Sequence, residues 1–235
     1  MPETISHSAE DQVTIVACRV MEPEFEAVRK NREHVEILYL DQGLHRTPQK
    51  MAGQVQALVD QAAAAADRIV LGYGLCSNGI VGVEARQQGL IVPRCHDCIA
   101  FFLGSPGAYL DDFNSRPGTY YLTPGWIAER KDPLSIIREE YEPRFGRETA
   151  EWIKREELKH YTHIVLINTG VAELEPLRKI ARENARFFGM EYVEIEGESL
   201  EYFNKLADGP YDTDEFIHLG PGDIVSQEMF FANED

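Results

Sequence analysis

The chain has 235 residues, 43% hydrophobic and 27% charged, a balance that builds a globular core and excludes a largely disordered protein. Its 40 acidic against 23 basic residues give a formal charge of −17, which repels phosphate backbones and anionic lipid headgroups, so neither nucleic acid nor a membrane surface is expected as a partner. Most of that acidity is read as solubility, because net charge governs association and not chemistry.

Met1 to Asp11 contain no basic stretch followed by an apolar one, so no signal peptide is expected. The longest apolar stretches, such as Ile99 to Leu103, fall far short of the ~20 residues that a membrane-spanning helix needs. A cytoplasmic protein is the expectation. In that reducing compartment four cysteines read as free thiols, metal ligands or catalytic groups before disulfides.

Val13 to Cys18 is a short β-branched run, and Glu22 to Arg32 then sets Phe25 and Val28 on one helical face. Val35 to Leu40 reads as a second strand. After the loop Asp41 to Thr47, Pro48 to Ala66 has helical spacing at Met51, Val55, Leu58 and Val59, with the proline suited to a first turn. Arg68 to Gly72 is a third strand entering the glycine-rich loop Gly72 to Gly79, and Ile80 to Gln88 is expected to be helical. Leu90 to Arg94 is a fourth strand, whose Pro93 belongs at a strand end or edge.

Between Gly104 and Pro133 glycine, proline and aromatic residues crowd together. Tyr120, Tyr121 and Trp126 carry too much apolar area to be left in water, so this ordered insertion should fold back onto the body. Pro133 to His160 is charge-rich and largely helical. A strand over Thr162 to Asn168, a helix over Glu173 to Phe188, a strand over Tyr192 to Ile195, a helix over Ser199 to Leu206 and a strand over Phe216 to Leu219 resume the alternation. The pattern predicts an α/β fold with a mostly parallel sheet and flanking helices, Rossmann-like, in one body or two α/β lobes. The expected division is a flexible N-terminus (1–11), a thiolate-bearing half (12–132) that includes the aromatic insertion (104–132), and a second half (133–235) packed on the first.

Cys18, Cys76 and Cys98 each fall at or just beyond the C-terminal end of an expected strand. In an open parallel sheet those ends border one crevice, so separated thiols can converge there. Thiolates are good ligands for zinc and iron–sulfur clusters, and His96 could add an imidazole. Cys95-x-x-Cys98 has bidentate ligand spacing, although no second CxxC completes a zinc ribbon. For a lone cysteine the alternative is a small buried hydrophobe. The loop positions Gly74, Asn78 and Gly79 are candidate cofactor-binding residues, if backbone N–H groups at a helix start hold an anion or the Cys76 thiolate. A tight strand-to-helix turn is the plainer alternative, since the loop is neither G-x-G-x-x-G nor Walker A. Asp41, His45 and Asp97 are candidate acid/base groups or ligand-orienting groups, with solvation the alternative for His45. His163 and His218 lie within apolar strands and are read as packing residues.

Ala17-Cys18, Leu40-Asp-x-x-Leu-His45, Tyr73-Gly-Leu-Cys76, Arg94-x-His-Asp-Cys98 with Leu103-Gly-Ser105, and Gly118-Thr-Tyr-Tyr-Leu-Thr-Pro-Gly-Trp126 resemble the motifs of an uncharacterised family, domain of unknown function 1638. The resemblance covers roughly the first half of the chain. It implies that Cys18, Cys76, His96 and Cys98 belong to the motif set while Cys95 does not. It also implies a role near corrinoid-dependent methyltransferase systems in one-carbon metabolism. Zinc-dependent methyltransferases that methylate thiols use His-x-Cys plus a distant Cys; His96-Asp-Cys98 with Cys76 is similar, in the reverse chain order.

Three readings follow. In the first, zinc on Cys18, Cys76 and Cys98, with His96 a fourth ligand, serves a metal-dependent enzyme acting on a small molecule, under a cover formed by Tyr120 to Trp126. In the second, an iron–sulfur carrier or metal-handling module serves a corrinoid protein. In the third, Cys95 and Cys98 form a metal-free redox dithiol. A homo-oligomer is open in each.

Overall fold

A computed structural model describes residues 11–46 and 48–231. Four parallel strands, β1 (Val13–Cys18), β2 (Val35–Leu40), β3 (Arg68–Gly72) and β4 (Leu90–Pro93), form a sheet in the order β2-β1-β3-β4, and β8 (Phe216–Leu219) joins antiparallel beside β4. A second, wholly parallel sheet has the order β5-β6-β7, from β5 (Thr119–Leu122), β6 (His163–Asn168) and β7 (Glu191–Glu196). The fold is the α/β, Rossmann-like one that the alternation predicts.

β1 lies between β2 and β3 and is buried at all six residues, which is why Val13 to Cys18 reads as a near-continuous apolar run and not an alternating one. Its register sets Cys18 opposite Leu40 and Ala17 opposite Gly72, so β1, β2 and β3 end at one level. Helix α1 (Glu22–Arg29) buries Phe25 and Val28, and α2 (Pro48–Ala62) buries Met51, Val55 and Val59 at one-turn spacing. Five further helices follow: α3 (Ile99–Leu103), α4 (Pro106–Ser115), α5 (Pro124–Ala128), α6 (Pro133–Ile136) and α7 (Glu142–Phe145), with a π-helical turn over Ile137–Tyr141 between the last two. Then come α8 (Arg147–Glu157), α9 (Leu174–Phe188) and α10 (Ser199–Asp208). Phe25, Phe101, Phe102 and Phe203 meet edge to face in the main core, where α10 packs on α1 and α3.

Three expectations are corrected. Ile80–Gln88 is not a helix. Gly82 N–H donates to the Val225 carbonyl, Val225 N–H to that of Val83, and Ala85 N–H to that of Asp223, so the segment spends its backbone groups on the chain before Phe230. Next, the aromatic insertion folds back as expected, but as helix, strand and helix, and β5 is the edge of the second sheet. Finally, β8 pairs antiparallel in the first sheet, carried there by α10. The two sheets therefore do not divide the chain at 132, and the segment 1–10 lies outside the described residues.

One buried polar contact links the two sheets. The Thr169 hydroxyl, just past β6, donates to Glu24 Oε1 on α1 at 2.7 Å, and both residues are buried. Burial pushes the Glu24 carboxyl up to about 7, with the Thr169 hydrogen bond opposing part of the rise, and Oε2 has no partner. Because the folded chain holds this proton more tightly than the unfolded one, stability should fall as pH rises from about 4.5 to about 7 and level off above, by roughly 3 kcal/mol from this group. Urea denaturation across that range should show the decline in the native protein and its disappearance in Glu24→Gln.

Candidate functional site: a thiol cluster beneath an aromatic cleft

Cys18 is the last residue of β1 and is fully buried. Val20 N–H and the Tyr73 hydroxyl both donate to its sulfur. Cys76 arrives from the loop after β3, and Cys98 from the turn that precedes α3. Cys98 and Cys76 lie close enough to interact directly, and Cys18 interacts electrostatically with both. The strand ends therefore bring together the three thiols that the sequence selects, with Tyr73, which the sequence names within a motif but gives no role at the site, buried among them.

Cys95 also interacts electrostatically with Cys76. It is buried beside the β3 loop, where its carbonyl accepts from Leu75 N–H at 2.9 Å and a Cβ on Gly74 would come within 2.8 Å of its sulfur. Gly74 thus permits close approach of two backbone segments, which accounts for a glycine there without a bound anion. The N–H groups of Leu75, Cys76 and Gly79 are all engaged by protein carbonyls, and no helix starts behind them. The turn is unusual in another way: Cys76, Ser77 and Asn78 have φ of 47°, 57° and 65°, three successive left-handed residues before Gly79. Such backbone costs roughly 1–2 kcal/mol per non-glycine residue and concentrates at functional sites.

Cys76 and Cys98 form the floor of a cleft of about 290 Å³, with Ser77, His96 and Asp97 at its rim. Thr119, Tyr120 and Tyr121 from the free edge of β5, together with Trp126 and Tyr161, complete the walls. The thiols of the first sheet therefore face the aromatic segment of the second. Gly125 makes this possible, because a Cβ there would overlap the Val20 carbonyl just after Cys18. Tyr161 comes from the turn before β6, where no sequence pattern marked it.

Burial pushes the Cys18 thiol up to about 12 and raises Cys95 well above its ordinary value; Cys98 is raised by its interaction with Cys76 and by burial. The charged neighbours acting on these thiols, Asp41, Asp97 and Glu129, are all negative. No lysine or arginine lines the cleft among the described residues.

Asp97 lines the cleft and caps the turn, accepting from Ile99 N–H at 2.8 Å. His96 is exposed at the rim with its ring packed on Phe231, centroids 4.9 Å apart. Asp41 lies near Cys18 and accepts from Gly43 N–H at 2.6 Å, outside the described cleft lining. The His45 side chain lies outside the described residues. Asn78 is exposed on the strained turn, and Gly79 is buried against Met51. Among the described residues no group of three or more His, Cys, Asp or Glu side chains stands at metal-ligand spacing: the sulfurs are gathered without being closed into a cage. His163 and His218 are hydrogen-bonded packing residues, to Thr162 Oγ1 and the Tyr211 carbonyl, each at 2.8 Å.

Fold and site define an α/β protein with a buried thiol cluster beneath an aromatic cleft. The chain belongs to the family described as "Protein of unknown function (DUF1638)", which matches residues 39–207. No curated protein and no solved structure matches it.

Ser77→Gly should raise stability by about 0.5–1 kcal/mol, the relief of left-handed strain less the entropy that glycine adds to the unfolded chain. Gly74→Ala should lower it by about 1–3 kcal/mol through overpacking against Cys95. Denaturant midpoints measure both, and a fall for Ser77→Gly or a rise for Gly74→Ala would refute this account of the turn.

Proposed function

We propose that the protein holds a soft metal cation, zinc before any other, on Cys18, Cys76 and Cys98, and uses it as a metal-dependent enzyme on a small molecule in the adjoining cleft. The single observation that carries this reading is the convergence of three buried thiols in surroundings whose nearby charges are negative. Such a site has no internal cation to stabilise thiolates, and an added cation supplies what is missing. The donor set fits a soft metal: sulfurs dominate, and the carboxylates stand around them and not among them. His96 at the rim is the candidate fourth donor.

Bound zinc would supply Lewis acidity and keep a sulfur ionised near neutral pH. The chain's own residues do the rest. Val20 N–H and the Tyr73 hydroxyl orient the Cys18 sulfur, Cys76 and Cys98 present theirs to the cleft, and the aromatic walls limit water. Methyl transfer to a thiol is the chemistry this arrangement suits best, and the resemblance to a family linked with corrinoid-dependent systems supports a place in one-carbon metabolism, as methyltransferase or as accessory enzyme. The four cysteines are free, which accords with the cytoplasm, and no described helix is long and apolar enough to cross a membrane.

A second reading rests on the closeness of Cys98 and Cys76, which makes these two, in place of Cys95 and Cys98, the candidate dithiol of a metal-free redox protein.

Elemental analysis of anaerobically purified protein separates the readings. About one equivalent of zinc is expected, lost in Cys18→Ser, Cys76→Ser and Cys98→Ser and kept in Cys95→Ser. Iron with visible absorbance would select the iron–sulfur alternative. Less than about half an equivalent of any metal, with a Cys76–Cys98 disulfide forming on mild oxidation, would select the dithiol.

A further inference from the structure

We infer that the cleft binds a small organic cation of the onium class, quaternary ammonium or sulfonium, held by its aromatic side chains and Asp97. This rests on the reading of the cleft as the substrate site.

The walls carry four aromatic residues, Tyr120, Tyr121, Trp126 and Tyr161, on a cleft of about 290 Å³, near the lower end of small-molecule pockets. Two of the three tyrosine hydroxyls are already spent on the protein. Tyr120 donates to the Lys131 carbonyl at 2.8 Å, and Tyr121 to Asp112 Oδ2 at 2.5 Å. Trp126 is held edge-on to Phe102, centroids 6.1 Å apart, and the Tyr120 and Tyr161 rings meet at 6.0 Å. With those two hydroxyls engaged, the rings of Tyr120 and Tyr121 offer a ligand fixed aromatic surface.

That composition sorts ligands by chemistry. A sugar-like molecule finds few free hydrogen-bonding groups on the walls. An anion meets Asp97 and no lysine or arginine in the described lining. A neutral apolar molecule gains only burial. An onium cation gains burial, the attraction of aromatic faces for positive charge, and the negative field of Asp97. Its methyl groups spread the charge over a surface with no N–H to satisfy, which suits rings whose hydroxyls are engaged elsewhere.

Choline and its uncharged isostere 3,3-dimethylbutan-1-ol test this on the full chain, both chelator-treated and zinc-loaded, with binding followed by tryptophan fluorescence and ligand-observed NMR. Choline should bind at least about tenfold more tightly than the isostere. Tyr161→Leu, at a residue 39% exposed, and Asp97→Asn should each weaken choline about threefold or more with the circular dichroism unchanged. Equal affinity for the two probes, no choline binding, or unchanged affinity in both variants would overturn the inference. Zinc content measured on the same samples keeps the two proposals apart. Choline binding without zinc retention sinks the metal reading alone, and zinc retention without choline binding sinks this one alone.

Discussion

The parallel pairing of β1 with both its neighbours ends three strands at one level, and the rest of the molecule is arranged around what that creates. Cys18 is placed where the chains leaving β2 and β3 must pass, so Asp41 and Tyr73 come near it without any sequence proximity. A sulfur in that position is buried by the sheet itself. Its neighbours then decide whether it is a packing atom or a chemical group. Here they are two more thiols and negative charges, a combination that hydrophobic packing alone does not call for.

Bringing the other two thiols to Cys18 needs backbone that ordinary loops avoid. The chain after β3 reverses hand through three left-handed residues to deliver Cys76, and Gly74 lets it touch the Cys95 segment as it does so. A loop selected only to connect β3 with the next segment would take a cheaper path, for instance with glycine at Ser77 or Asn78. The strain is tolerable because both sides are tied down. Leu75 and Cys76 donate to Cys95 and His96, and the following segment pairs with residues 222–225. Local cost is thus offset by tertiary hydrogen bonds, the relation expected where position of a side chain matters more than stability.

Much of this was legible in the sequence, for physical reasons that differ by feature. Apolar runs such as Val13 to Cys18 and His163 to Asn168 announced buried parallel strands, and placing Cys18, Cys76 and Cys98 at strand ends was enough to foresee their convergence. What stayed hidden depends on long-range pairing. Ile80 to Gln88 has helix-compatible residues, but its backbone bonds to a segment some 140 positions away, which no local pattern encodes. The strand character of Thr119 to Leu122 was masked by the proline and glycine around it. Tyr73 and Tyr161 join the site only through folding, one behind the thiols and one at the rim.

Floor and wall of the cleft come from different sheets, so the site exists only while the two sheets keep their relation. Beside the shared apolar core, in which Tyr121, Val165 and Ile167 pack with residues of the first sheet, three contacts stand out: α5 seated on Val20 through Gly125, Trp126 against Phe102, and the buried Thr169–Glu24 hydrogen bond. The first two are packing contacts at the cleft itself and move with anything that moves α5. The third lies away from the cleft and depends on protonation, since an ionised Glu24 would sit buried with a single partner. A carboxyl titrating near neutrality at the join between sheets means that pH acts on the relation of wall to floor from outside the cleft. The polar link is therefore the softest of the three. Glu24 and Thr169 thus belong to the frame that sets wall against floor, though neither lines the cleft.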